Sequence, residues 1–176
     1  MSDYILKPAL AEDVRMALTH LRNPVPDRKK GLFVQCFGNF AVFYDGEAVH
    51  FRRAKAKELF AYLIDRRGAP ATNAELRAVL WEDGAENSDR KRRYFAQIVY
   101  ELRRTLEGLG CTELFVQSRN SYAIRPENIS CDYYLALSQK DIQLSGCYEG
   151  EYMSQYSWAE QRLGILNEML KNQKKE

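Results

Sequence analysis

Residues 87–110 read NSDRKRRYFAQIVYELRRTLEGLG, and their apolar members recur at three- and four-residue spacing. Phe95, Ile98, Val99, Leu102 and Leu106 therefore share one helix face, which must pack against a core. The opposite face carries Arg90, Arg93, Tyr94, Gln97, Glu101 and Arg104. Four consecutive cations, Arg90-Lys91-Arg92-Arg93, open the pattern, and Ser88 is placed to cap it. A helix held on one side and offering Arg, Gln and Tyr on the other suits a negatively charged groove with hydrogen-bonding edges, such as the major groove of DNA.

Clustering, not total charge, carries that expectation, because the 176-residue chain has a net charge of only +2. From Ser88 to Leu106 the cations Arg90, Lys91, Arg92, Arg93, Arg103 and Arg104 face only Asp89 and Glu101, a local charge of +4. A second basic cluster, Arg52, Arg53, Lys55 and Lys57, stands where another helix begins. Acidic residues gather elsewhere, at 82–86 and 149–151. Hydrophobic content of 45% with 28% charged residues is a globular composition. No apolar run approaches the ~20 residues that span a bilayer, and no leader follows Met1, so a cytoplasmic location without membrane association is expected. Cys36, Cys111, Cys131 and Cys147 are far apart in sequence and form no metal-ligand spacing with His20 or His50. Reduced thiols, no metal and no cofactor are expected. Nucleophile elbow, phosphate loop and paired-carboxylate motifs are all missing, which argues against an enzyme.

Three regions follow from the patterning. Residues 1–30 combine a short strand, a Lys-Pro corner, a helix striped with Leu10, Val14, Ala17, Leu18 and Leu21, and a linker with Pro24 and Pro26. Residues 31–130 begin with three strand-like runs, LFVQCF, NFAVFYD and AVHF, the last two joined at Asp45-Gly46, a tight-hairpin signal. A helix over 54–67 ends at Gly68, Thr72-Asn73-Ala74-Glu75 reads as a capping box for a short second helix, and the cationic helix is the third. A hairpin then pairs 113–117 with 122–124 across Ser118-Arg119-Asn120-Ser121. Residues 131–176 read as a short helical segment: 132–139, a turn near 142–146, and 157–172. The predicted fold is α+β: a winged helix-turn-helix with an N-terminal antiparallel β-sheet, three helices and a C-terminal β-hairpin wing, flanked by helical segments.

Taken in order, ELRAVLW at 75–81, ELRRTLE at 101–107 and SYAI at 121–124 resemble the OmpR/PhoB-type output domain, in the version found in SARP-type activators. The resemblance covers about 34–131. It implies a response-regulator transcription factor that binds double-stranded DNA and touches RNA polymerase through the acidic loop 82–89; one module of this size buries only ~600–1,000 Å² on DNA, so a homodimer on the duplex is expected. Glu101 stands where that family often has Arg, and Ser121 where it has a wing glycine. DYILKP at 3–8 resembles the last strand of a receiver domain, which implies a phosphate-sensing role for Lys7 and a cis bond before Pro8. Without the rest of a receiver, the stripe 10–21 would bury itself on the body or on a second copy. The segment after 131, with Gly150-Glu151-Tyr152 and Trp158, is similar to the start of the helical activator domain of SARP proteins.

Each candidate contact has an expected role. Arg93, Tyr94 and Gln97 would meet base edges, with Tyr94 alternatively donating to phosphate. Lys91, Arg92 and Arg103 lie toward phosphates, and Arg90 and Arg104 are further DNA-contact candidates on the outward face. Glu101 would either accept from a cytosine amino group or pair with Arg104 at i,i+3. Arg52, Arg53 and Lys55 are either surface charge or phosphate contacts that offset the helix dipole opposing them. Arg119, Asn120 and Ser121 are a polar tip placed to reach DNA. The alternative is a protein-docking module that uses the flanking helices and lets the basic patches steer a partner.

Overall fold

The computed structural model describes residues 30–82, 88–138 and 148–173. The strand and stripe expected over 1–29, Lys7 and Pro8, the turn at 142–146, Cys147 and most of the acidic loop lie outside them. The fold is mixed α+β, with two small sheets and, among the described residues, five α-helices.

The first sheet grows from a tight turn. β1 (Leu32–Gln35) pairs antiparallel with β2 (Ala41–Tyr44), Val34 opposite Val42. β2 returns through Asp45-Gly46 into the two-residue β3 (Glu47–Ala48). Both turn residues take positive φ, 49° and 87°, the twist that a two-residue hairpin demands and that Asp-Gly tolerates. Asp45 Oδ1 also accepts from Gly31 N at 2.6 Å, tying the start of β1 to the turn. The expected three-stranded antiparallel sheet gains a fourth member: β7 (Ser130–Cys131) lies parallel to β1, with Cys131 opposite Val34. Two residues are too few for period-2 alternation to announce a strand.

α1 (Ala54–Asp65) packs Leu59, Phe60, Leu63 and Ile64 completely inside. It is shorter than expected because Arg67 and Gly68 turn to positive φ. A Cβ on Gly68 would meet Pro126 Cδ at 3.0 Å, so this stop requires glycine. β4 (Ala71–Thr72) leads into α2 (Asn73–Leu80), where Thr72 Oγ1 accepts from Glu75 N at 3.2 Å. Only this half of the expected capping box forms. Glu75 Oε1 instead accepts from Tyr62 Oη at 2.8 Å and faces Arg66 at 3.4 Å, so its carboxylate joins α2 to α1. α3 (Asp89–Gly108) buries the five apolar residues of its stripe against α1 and α2. The hairpin β5 (Phe115–Gln117) and β6 (Ser121–Ile124) follows, and β4 pairs with β6 to complete a three-stranded second sheet.

The C-terminal residues close over the same core. α4 (Asp132–Leu137) follows β7 directly, and α5 (Glu160–Gln173) is preceded by a 3₁₀ turn over Ser157–Ala159. Met153 N donates to Cys36 O at 2.8 Å, and Gln155 brackets Phe40, accepting from its N at 2.7 Å and donating to its O at 2.9 Å. Leu166 and Leu170 are buried.

Two buried polar centres fix this closure. Asp65, at the end of α1, accepts from Tyr152 Oη at 2.8 Å and from Arg162 Nε and Nη2 at 3.0 and 2.9 Å. That two-pronged pair joins α5 to α1, and the carboxylate raises the Arg162 pKa further. Asp132 accepts from Cys36 N, Phe37 N and Tyr133 N at 2.8, 3.1 and 2.7 Å. Burial pushes its carboxyl up to about 6, while those three N–H groups pull the other way. The thiols of Cys36 and Cys131, 95 residues apart in sequence, lie 3.3 Å apart beside it, one donating to the other. Burial raises the Cys36 thiol well above its usual range. Sequence spacing placed these cysteines far apart; the parallel β1–β7 pairing brings them together. Both oxygens of Asp132 are engaged by backbone N–H groups, so the cluster reads as a hydrogen-bonded part of the core.

Two outcomes are expected. Arg162→Ala strands a buried carboxylate and lowers unfolding free energy by about 2 kcal/mol, below the figure for a fully buried pair because Arg162 is partly exposed; urea denaturation measures it. The raised pKa of Asp132 makes the folded state bind a proton that the unfolded state has released between pH ~4 and ~6. Its contribution is therefore full below that window and falls as pH rises through it. Urea midpoints taken from pH 4 to 7.5 should show this component in the wild type and not in Asp132→Asn, which should be less stable throughout because its amide presents N–H to a backbone N–H.

Candidate nucleic-acid interface

Ser88 Oγ accepts from Lys91 N at 3.3 Å and starts α3 as its sequence implied. With the apolar stripe locked inward, helical geometry carries Arg93, Gln97 and Arg104 to the opposite side, and all three are exposed, as is Arg90. Arg92 and Arg104 make exposed i,i+3 pairs with Asp89 and Glu107 at 3.9 and 3.8 Å, contacts that hold such side chains only weakly. Tyr100 belongs to this face too, one turn from Gln97 and two from Arg93, and is 58% exposed. Tyr100 was not among the residues expected on this face, although its helical register places it there.

The two flanks of α3 meet different neighbours. On one side stands the start of α1. Arg52 Nη1 lies 3.9 Å from Glu101 Oε1, with side-chain exposures of 81% and 16%. Glu101 thus faces Arg52, while Arg104 pairs with Glu107 instead. The guanidinium of Arg53 covers the Tyr94 ring at 5.6 Å, and that ring packs against Trp81 at 5.7 Å. Lys91 Nζ lies over the other aromatic, 5.7 Å from the Trp81 ring centroid. Lys55 is committed inward. Its Nζ donates to Glu58 Oε2 and to the Leu80 carbonyl, both at 2.7 Å, so it satisfies one of the carbonyls left open at the end of α2.

On the other flank is the β5–β6 hairpin. Arg103 donates to Gln117 Oε1, and its guanidinium lies 5.9 Å from the Phe115 ring centroid. The hairpin closes with Ser118 N donating to Ser121 O at 2.9 Å, which leaves Arg119 and Asn120 exposed at the tip and Ser121 half-buried. Asn120 also spends its backbone carbonyl on Asn73 N, 3.1 Å away at the first residue of α2. A recess of about 850 Å³ opens where α2 meets α3, lined by Trp81, Ser88, Asp89, Arg90, Lys91, Arg93, Tyr94 and Gln97. Arg52, Arg53, Arg90, Arg93, Gln97, Arg103 and Arg104 thus collect along α3 and its two flanks, while Lys55 is withdrawn from them. Trp81 and Gln117, which hold parts of this surface together, were not among the residues expected at it. The side-chain contacts that place them join residues distant in sequence.

No protein-family model matches the sequence, and no curated protein matches it. A solved structure of Mycobacterium tuberculosis EmbR, in complex with a low-affinity phosphopeptide, has a similar fold: TM-score 0.61, 21% identity, over 80% of this chain. The match spans 42% of the EmbR chain. Among the described residues no helix is long and apolar enough to cross a membrane.

Lys55→Met removes the donor to Glu58 and Leu80, so it should lower unfolding free energy by about 1 kcal/mol, read as a shifted urea midpoint with an unchanged slope.

Proposed function

We propose that this chain is a sequence-specific double-stranded-DNA-binding transcription regulator of SARP-like, winged helix-turn-helix architecture, and not an enzyme. One observation carries the reading: the exposed face of α3 is cationic and hydrogen-bonding, and it is flanked by the basic start of α1 and by an exposed hairpin tip. The fold shared with EmbR supports it. In this reading α3 lies in the major groove. Arg93 and Gln97 meet base edges, since Arg and Gln pair two-pronged with guanine and adenine, and the Tyr100 ring offers an apolar contact such as a thymine methyl accepts. Arg52, Arg53, Arg90, Arg103 and Arg104 meet phosphates and set register. The wing tip, Arg119, Asn120 and Ser121, reaches the neighbouring groove.

One module of this kind buries only ~600–1,000 Å² on DNA, so two copies on repeated half-sites are part of the proposal. So are an origin in a two-component response regulator, with residues 1–30 its receiver remnant, 31–130 the DNA-binding unit and 131–176 a helical C-terminal segment, contact of the 82–89 loop with RNA polymerase, and a cytoplasmic location. A second reading, a docking module, draws on Ile165 and Met169, one turn apart on α5 and 51% and 43% exposed. Salt separates the two: duplex binding falls steeply as salt rises, whereas docking through apolar side chains does not.

Selection from a random duplex pool at two salt concentrations should return one enriched motif whose binding weakens at the higher salt. On that motif Arg93→Ala should cost about 1–3 kcal/mol and relax preference at one position. Unchanged affinity would show that the groove face is misassigned.

A further inference from the structure

Arg53 is unusual among the basic residues that flank α3. It is the N-cap of α1, where a cation opposes the helix dipole, and it makes no side-chain cap. Its Nε is buried without a hydrogen-bond partner. What faces the guanidinium instead is the Tyr94 ring, 5.6 Å away, a geometry in which the negative face of the ring attracts the cation. The Tyr94 ring in turn packs against Trp81 at an interplanar angle of 49°, and Lys91 Nζ stands 5.7 Å from the Trp81 centroid. The four side chains come from the segment before α1, the end of α2 and the first turns of α3. The two rings and Lys91 also line the recess between α2 and α3.

We propose that the Trp81–Tyr94 ring pair is a positioning platform that holds Arg53 and Lys91, one at each aromatic face, as a preset pair of phosphate contacts at the edge of the groove occupied by α3. This rests on the DNA-binding reading and reassigns Tyr94: it positions cations and does not read a base. Long cationic side chains lose rotamer freedom when they bind. Rings that hold them beforehand remove part of that loss, so the platform raises affinity for every sequence alike. Lys55, which reaches from α1 to the Leu80 carbonyl, keeps the end of α2 in place beneath Trp81.

The test titrates the full chain by fluorescence anisotropy on the selected duplex and on an unrelated one, across a salt series. Tyr94→Phe keeps the ring and should bind as the wild type does. Tyr94→Leu should release Arg53 from its phosphate, weakening both duplexes roughly three- to tenfold and making the log–log salt dependence shallower by about one. Arg53→Gln should do the same, and the double variant Arg53→Gln/Tyr94→Leu should be no weaker than either single one. Trp81→Phe, which retains an aromatic face, should keep the wild-type slope, and urea midpoints confirm that each variant is folded. Additive losses in the double variant, an unchanged slope in Tyr94→Leu, or a Tyr94→Phe loss equal to that of Tyr94→Leu would overturn the platform while leaving DNA binding intact. A wild-type chain with no salt-dependent duplex binding overturns the DNA reading itself, and the platform with it.

Discussion

The rotational setting of α3 governs the rest of this molecule. Phe95, Ile98, Val99, Leu102 and Leu106 are all buried, and each such side chain contributes on the order of 1.5–3 kcal/mol through the apolar surface it removes from water. Turning the helix by one residue, about 100°, would expose most of that stripe and drive arginines into the core. The hydrophobic effect has no direction of its own, yet it fixes the azimuth of Arg93, Gln97, Tyr100 and Arg104 as firmly as a covalent link would. The scaffold on either side then matters for what it brings to the two flanks of the helix.

Those flanks divide the charged residues into two kinds. Lys55 is occupied within the protein by a carboxylate and a helix-end carbonyl, and Glu101, largely covered, faces Arg52. Arg90, Arg93 and Arg119 stand exposed. Arg53 lies between these cases, set against an aromatic ring with a buried nitrogen that has no hydrogen-bond partner. In a run of cations the charge is evident from composition, but its availability depends on which neighbours consume it. Glu101 illustrates the point: it lies on the charged face of α3 by register, yet in the fold it is largely covered and faces Arg52.

The C-terminal closure obeys a different rule. Burying Asp65 and Asp132 is costly, and hydrogen bonds offset that cost: Asp65 accepts from a phenol and a two-pronged guanidinium, and Asp132 from three backbone N–H groups that meet only part of it. Burial pushes the Tyr152 phenol strongly upward, which keeps it a neutral donor to Asp65. Because these bonds are directional, those of Asp65 specify where Tyr152 and Arg162 sit, which apolar contact by Leu166 and Leu170 alone would leave looser, and those of Asp132 tie the start of α4 to the end of β1.

Much of this architecture was legible beforehand because it rests on local rules. Periodicity named the buried face of α3 and of α1, Asp-Gly named the β2–β3 turn, and Ser88 and Thr72 named two helix starts, since each is a matter of residues within a few positions of one another. β4 and β7, at two residues each, carry no period and exist only because β6 and β1 offer them partners. The same holds for Glu75 reaching Tyr62 instead of its own helix start, for the meeting of Cys36 with Cys131, and for the Arg53–Tyr94–Trp81–Lys91 stack. Local order in the chain dictates which faces are apolar and which are charged, because backbone geometry converts spacing into direction. Which charge meets which ring, carbonyl or carboxylate depends on segments that become neighbours only after the core has closed, so that pairing belongs to the folded molecule alone.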